Sequence, residues 1–294
     1  MRFYALFMVM PSLVLGSARV QALEPAEPSP SSDTPSSSHS APRFRPIELR
    51  ASAELGYLAS LSHHIRFGQD GTDFDYVGEG GQDTLFAVSR LSVDVSFHQR
   101  HTLVFMYQPL RLDTRVVLER DVTVYDQTYA AGTPMALRYD FPFYRASYLY
   151  NFARKPGREL ELGLSLQLRN ATIEFATLSG EALTSNRNVG PVPILKARWT
   201  EPFSHGLWMG AEADGFYAPI SYLNGSDNEV IGAILDASVR GGISLPMRSR
   251  AFVNVRYLGG GSVGTSTGDD VQGDGFVENW LHFLTVTLGV SIDL

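Results

Sequence analysis

Cysteine is absent from the 294 residues. That excludes disulfide staples, thiolate metal sites, Fe–S clusters, thiol nucleophiles and lipidated cysteine. Lysine is scarce too: Lys155 and Lys196 are the two among 24 basic residues. Charge of either sign is thin, 19% of residues against ~25% in ordinary soluble domains. A formal charge of −7 argues against a nucleic-acid partner. Beyond the first two dozen residues no apolar run reaches the ~18 residues a membrane helix needs, which excludes a helical membrane protein but not one that crosses with strands.

What is present starts with an address. Met1-Arg2 precedes an apolar stretch, Phe3 to Gly16, and Val20-Gln21-Ala22 offers small residues for cleavage. This reads as a secretory signal peptide over 1–22. The next 24 residues, 23–46, hold six Pro and seven Ser and bury too little to offset ordering entropy, so a disordered linker is expected.

From Ile47 the hydrophobic period is two. Leu160, Leu162, Leu164, Leu166 and Leu168 alternate with Glu161, Gly163, Ser165, Gln167 and Arg169, and Leu284 to Leu294 alternates in the same way. The pattern predicts ten strands near 48–67, 84–97, 102–118, 136–152, 158–176, 191–203, 207–222, 231–245, 250–263 and 279–294. Parity slips beside Pro109 and Pro142 read as bulges near one rim. Tight connections alternate with long ones (68–83, 119–134, 178–190, 223–230, 264–278), an arrangement proper to a closed, up-and-down, antiparallel transmembrane β-barrel over 47–294. Three features favour lipid outside. The apolar face is bare of charge. Aromatics gather at strand ends (Phe97, Tyr150, Phe152, Phe203 and Trp208 by the short turns; Phe67, Phe141, Phe143, Tyr217, Tyr222, Tyr257 and Trp280 by the long loops). The other face is small and polar.

The last eight residues, Thr287-Leu288-Gly289-Val290-Ser291-Ile292-Asp293-Leu294, resemble the β-signal of Gram-negative outer-membrane proteins. Thr287, Gly289, Ile292 and Leu294 match; that class usually ends in Phe rather than Leu. The resemblance implies a bacterial outer-membrane barrel, with outer-membrane lipid and the barrel-assembly machinery as partners; together with the signal peptide, export through the periplasm and a monomeric barrel are expected.

Inside the barrel, hairpin register sets Lys196 against Asp214 and Arg198 against Glu212, with a further register that places Glu212 near Arg240 and Asp236 lower. Arg90, Asp94, Arg145, Glu161, Arg169 and Arg256 face the same lumen. The expectation is an inward charge cluster that fills a narrow barrel, in a structural, surface-interaction or narrow-transport role. The alternative is a lipid or peptide hydrolase at the long-loop rim, using His63, His64 and His282, with His63 on the lipid-facing parity. No nucleophile elbow or helical zinc motif supports it. The acidic stretches 70–75 and 268–275 lack EF-hand spacing and read as solvated loops; no metal and no cofactor is expected.

Overall fold

The computed structural model describes residues 47–98, 100–153, 157–219, 229–266 and 272–294. The expected signal peptide and linker lie outside the described residues, as does Tyr222. The strands are β1 (Ile47–Phe67), β2 (Phe74–Asp75), β3 (Leu85–Phe97), β4 (His101–Gln108), β5 (Arg111–Val117), β6 (Val122–Val124), β7 (Gln127–Tyr129), β8 (Pro134–Asp140), β9 (Phe143–Asn151), β10 (Glu159–Thr177), β11 (Leu183–Pro202), β12 (Leu207–Pro219), β13 (Glu229–Leu245), β14 (Ser249–Thr265) and β15 (Phe276–Asp293).

Ten of them form the wall, in the order β1, β3, β4, β9, β10, β11, β12, β13, β14, β15 and back to β1, every pairing antiparallel. Closure comes from β1 on β15, running from Arg50↔Asp293 to Phe67↔Val277. Where the ring of ten strands is complete it leaves no free edge, so the backbone there is satisfied without water. β10 and β11 run on to Thr177 and Leu183, so the expected long loop over 178–190 is mostly strand.

Pro109 and Pro142 act differently from the rim bulges expected. They face each other across one hairpin and break both strands: β4 pairs β9 up to Gln108↔Phe143, and pairing resumes as β5 on β8 from Arg111↔Asp140. Proline has no N–H for the ladder. Inward parity is nonetheless kept, with Leu110 and Leu112 buried beyond the break. Above it, β5 leaves β3, whose partnership with β4 stops at Leu91↔Tyr107. The segment after β2 fills the gap, where Thr114 Oγ1 donates to the Gly80 carbonyl at 2.6 Å.

The wall reverses its polarity at one level. In the half nearer the short turns, outward positions carry no Asp, Glu, Lys or Arg over 51–59, 85–97, 103–107, 144–150, 160–168, 207–217, 235–243, 251–257 and 284–292, and Leu55, Leu164, Leu195 and Leu288 are largely exposed. Inward positions there are charged. In the half nearer the long loops, charge lies outside, as in Arg138–Glu174 at 2.8 Å and Arg66–Glu278 at 2.7 Å. The inside there is an apolar cluster that includes Leu58, Val88, Leu137, Phe175, Leu258 and Phe283. Three side chains expected in the aromatic belts are interior instead: Phe67 and Phe143 in this upper core, Trp208 in the lower lumen.

A bulge in β1 serves the reversal. Ser60 pairs with Phe283 and Ser62 with His282, so Leu61 is an extra residue. Below it the even positions Glu54 and Leu58 point in; above it His63, Ile65 and Phe67 do. Were Leu61 paired as an ordinary strand residue, unbroken alternation would send Arg66 into the apolar core and turn Ile65 and Phe67 outward. His63 therefore faces inward, correcting the lipid-facing parity that unbroken alternation predicts.

The long-loop segments cap this core. Tyr76, Val122, Val124 and Tyr129 are buried in it. Asp274 ties two of the loops together, accepting the Gln69 N–H at 2.7 Å and the Phe276 N–H at 3.0 Å. These backbone donors, Gln69 first, hold its carboxyl below the usual value of 3.8. A depressed pKa gives stability that is present above the unfolded value and lost as pH falls through the folded one. Amide exchange at residues 68–71 should thus accelerate below about pH 3.8 beyond the intrinsic rate, and Asp274→Ala should abolish that pH dependence.

Candidate functional site

The lower lumen is the candidate site. The β11–β12 hairpin has the expected register, Lys196↔Asp214 and Arg198↔Glu212. The β12–β13 pairing is two residues off the expected one: Glu212 lies opposite Ser238 and Asp214 opposite Asp236, with Arg240 opposite Gly210. Arg240 still reaches Glu212, diagonally, at 3.2 Å.

From these positions a connected network spans the barrel. Lys196 Nζ lies 3.0 Å from Glu212 and 2.9 Å from Asp214. Arg145, from β9, reaches Asp214 at 2.9 Å and Asp236 at 3.1 Å. Arg90, from β3, reaches Glu212 at 3.3 Å and Asp236 at 3.4 Å. Arg256, from β14, pairs with Asp236 and lies 3.8 Å from Glu212. Arg198 pairs with Asp94 and Glu161, both at 2.5 Å. Amide side chains complete the shells: Arg90 donates to Gln108 at 3.0 Å and Arg145 to Gln167 at 2.6 Å. Arginine suits this, since one planar fork serves two acceptors in a tight space.

Some members have weak or no sequence signal. Glu54 accepts from Asn254 at 2.8 Å and Thr287 at 2.7 Å; its signal is its place opposite Arg90 in the β1–β3 register. Arg50 bridges Glu159 at 3.1 Å and Asp293 at 2.7 Å near the short-turn end, linking strands far apart in sequence.

Such burial is no proof of net stability, because desolvation offsets much of the Coulomb gain. The network sets register, because a one-step slip would put every buried charge into the lipid-facing set.

The three histidines do not share a site. His63 is fully buried, with ring nitrogens 2.9 Å from Gln82 Oε1 and 3.2 Å from Asn279 Oδ1, and it stacks on Tyr76 at 4.6 Å. It ties the loop after β2 to β15. His64 points outward, 3.5 Å from exposed Asp73. His282, also outward, lies 2.6 Å from the Tyr257 hydroxyl. Among the described residues no serine hydroxyl bonds any of the three, and no group of three His, Asp or Glu is placed to hold a metal ion.

Of the terminal signal residues, Thr287 points inward to Glu54, whereas Ile292 and Leu294 are exposed outside. Gly289 faces in, beneath Phe252, whose ring would lie 2.2 Å from an added Cβ. Only glycine leaves that ring its place.

Neither a protein-family model nor a curated protein matches the chain. Solved structures do. The outer membrane protease OmpT of Escherichia coli is 9% identical over 87% of this chain and 99% of that one, with a TM-score of 0.47. The toluene transporter TodX of Pseudomonas putida is 8% identical over 84% and 90%, at 0.32. The attachment invasion locus protein Ail of Yersinia pestis is 10% identical over 84% and 99%, at 0.30. The closed antiparallel barrel is read from this chain's own strand pairing.

Proposed function

We propose that this chain is an integral barrel of the bacterial outer membrane, sealed rather than porous, whose role is structural or surface-interacting and is exerted through the long-loop half. The observation that carries this is the reversal of polarity along the wall. An uncharged outer belt of nine or so positions per strand matches the ~9–11 residues a tilted strand needs to cross hydrocarbon. Exposed to water, so continuous an apolar surface would drive association. The half above the belt is built as a soluble protein is built, apolar inside and charged outside, and it fills the barrel above the ion-pair network. Lipid is the partner of the belt, the barrel-assembly machinery is the partner of insertion, and the barrel works as a monomer. The hydrolase reading has no assembled residues behind it.

The test is insertion. The chain should be recovered in outer-membrane fractions with heat-modifiable migration, and recovery as a soluble periplasmic protein would refute the reading. Leu288, 70% exposed at the belt, gives the quantitative version. Leu288→Arg should lower stability in lipid vesicles by ~2–4 kcal/mol if it sits near the midplane, read from the urea midpoint of refolding. A loss under ~0.5 kcal/mol, usual for surface sites in water, would count against a lipid-facing position.

A further inference from the structure

Among the described residues, one guanidinium at the short-turn end of the lumen, that of Arg250, stands outside the ion pairs. The network surrounds a small cavity of about 50 Å³. Eight cationic side chains and the carboxylates Glu54, Asp94, Glu159 and Glu212 line it, and Glu161, Asp214, Asp236 and Asp293 pair with the same cations from behind. Toward its short-turn mouth lie Trp208 on β12, Arg240 on β13 and Arg250 and Phe252 on β14.

Three features meet there. Arg250 has no carboxylate within 4 Å among the described residues, and its guanidinium rests over the Trp208 ring at 5.7 Å. Arg240 rests over Phe252 at 5.9 Å and shares Glu212 with Lys196 and Arg90. The two rings are themselves in edge contact at 5.7 Å, so they form one platform under two guanidinium groups. Trp208 is 93% buried, and its indole N–H has no acceptor. A buried donor without a partner costs ~1–3 kcal/mol, and a half-buried guanidinium outside any ion pair attracts an anion more strongly than one fully in water.

We propose that this mouth binds a small oxyanion of the phosphate class, held in the fork of Arg250, with Arg240 beside it and the Trp208 N–H as a further donor. The fork presents paired donors that match two oxygens of one tetrahedral or carboxylate group. Entry is from the short-turn side, and the site does not depend on whether the lumen conducts.

A free phosphate and the headgroup phosphate of a lipid share this chemistry, so the test has two arms. Full-length protein refolded in an uncharged detergent is titrated with inorganic phosphate and, separately, with a short-chain phosphatidylglycerol, by calorimetry. Trp208 emission is followed in a Trp199→Phe, Trp280→Phe background. Saturable binding of either probe is expected, weakened at least tenfold by Arg250→Gln, several-fold by Arg250→Lys, which keeps the charge and loses the fork, and not at all by Arg120→Gln at the opposite rim. Preference for the phosphate arm identifies a soluble anion, preference for the lipid arm a headgroup. Absence of saturable binding to both, or equal affinity in Arg250→Gln, Arg250→Lys and wild type, would overturn the proposal. Trp208→Phe provides a second route should Arg250→Gln fail to refold: it removes the N–H alone, and unchanged affinity there removes the indole from the site.

Discussion

Asp236→Ala should destabilise the refolded barrel by ~3–5 kcal/mol, the range for leaving a buried charge without its partner. Asp236 is 3% exposed and serves three guanidinium groups: Arg90 at 3.4 Å, Arg145 at 3.1 Å and Arg256. Each keeps one other carboxylate, Glu212 for Arg90 and Arg256 and Asp214 for Arg145. After the substitution those two acids would face five cations, Lys196 and Arg240 included. The control is Glu79→Ala. Its two oxygens pair with Arg120, each at 2.8 Å, but the arginine is half exposed, and such pairs are worth under ~1 kcal/mol. Urea midpoints in micelles, followed by tryptophan emission, separate the two. If Asp236→Ala shifts no further than Glu79→Ala, the network is peripheral to the fold. The double variant Asp236→Ala, Arg256→Ala should lose less than the sum of its single changes, because contacting partners are coupled.

The second large effect belongs to the other half of the interior. Phe283 is fully buried, in edge contact with the His63 ring at 5.6 Å, and sits where the charged layers give way to the apolar ones. Phe283→Ala should cost ~3–5 kcal/mol through lost burial and the cavity left behind. Val286, three residues on, points outward into the belt. Truncation there removes contact with hydrocarbon rather than opening an internal void, so Val286→Ala should cost well under half as much. Equal losses at the two positions would mean that the upper interior is loosely packed.

The two halves of the barrel were legible to different degrees, for a physical reason. In the lower half each strand obeys one rule, apolar out and polar in. Leu160 to Leu168 therefore shows its faces directly, and a short turn near His205 suffices to set Lys196 against Asp214. Where the hairpin connection is longer, as between β12 and β13, the register estimate slips by two residues and Arg240 meets Glu212 only on the diagonal. In the upper half the rule is reversed, and the reversal is carried by single residues. Leu61 is one extra position in β1, invisible as such in a run of small and apolar residues, yet it turns His63 from the lipid side to the core. Tyr76, Val122 and Tyr129 belong to loops by composition and to the interior by contact, which no strand periodicity reports. Pro109 and Pro142 signalled irregularity correctly but not its scale, since only their placement opposite each other turns two local defects into a break across a hairpin. The low charge and near-neutral mean hydropathy of −0.06 average over a wall that is apolar on opposite faces in its two halves.

The account rests on a lumen closed twice, by ion pairs at the level of the belt and by the apolar layer above it. Conductance of the full-length barrel in planar lipid bilayers tests this most directly. The expected record is a flat baseline at both voltage polarities after insertion has been established independently by heat-modifiable migration. Stable stepwise openings in wild-type protein, with a size that scales with salt concentration, would contradict it.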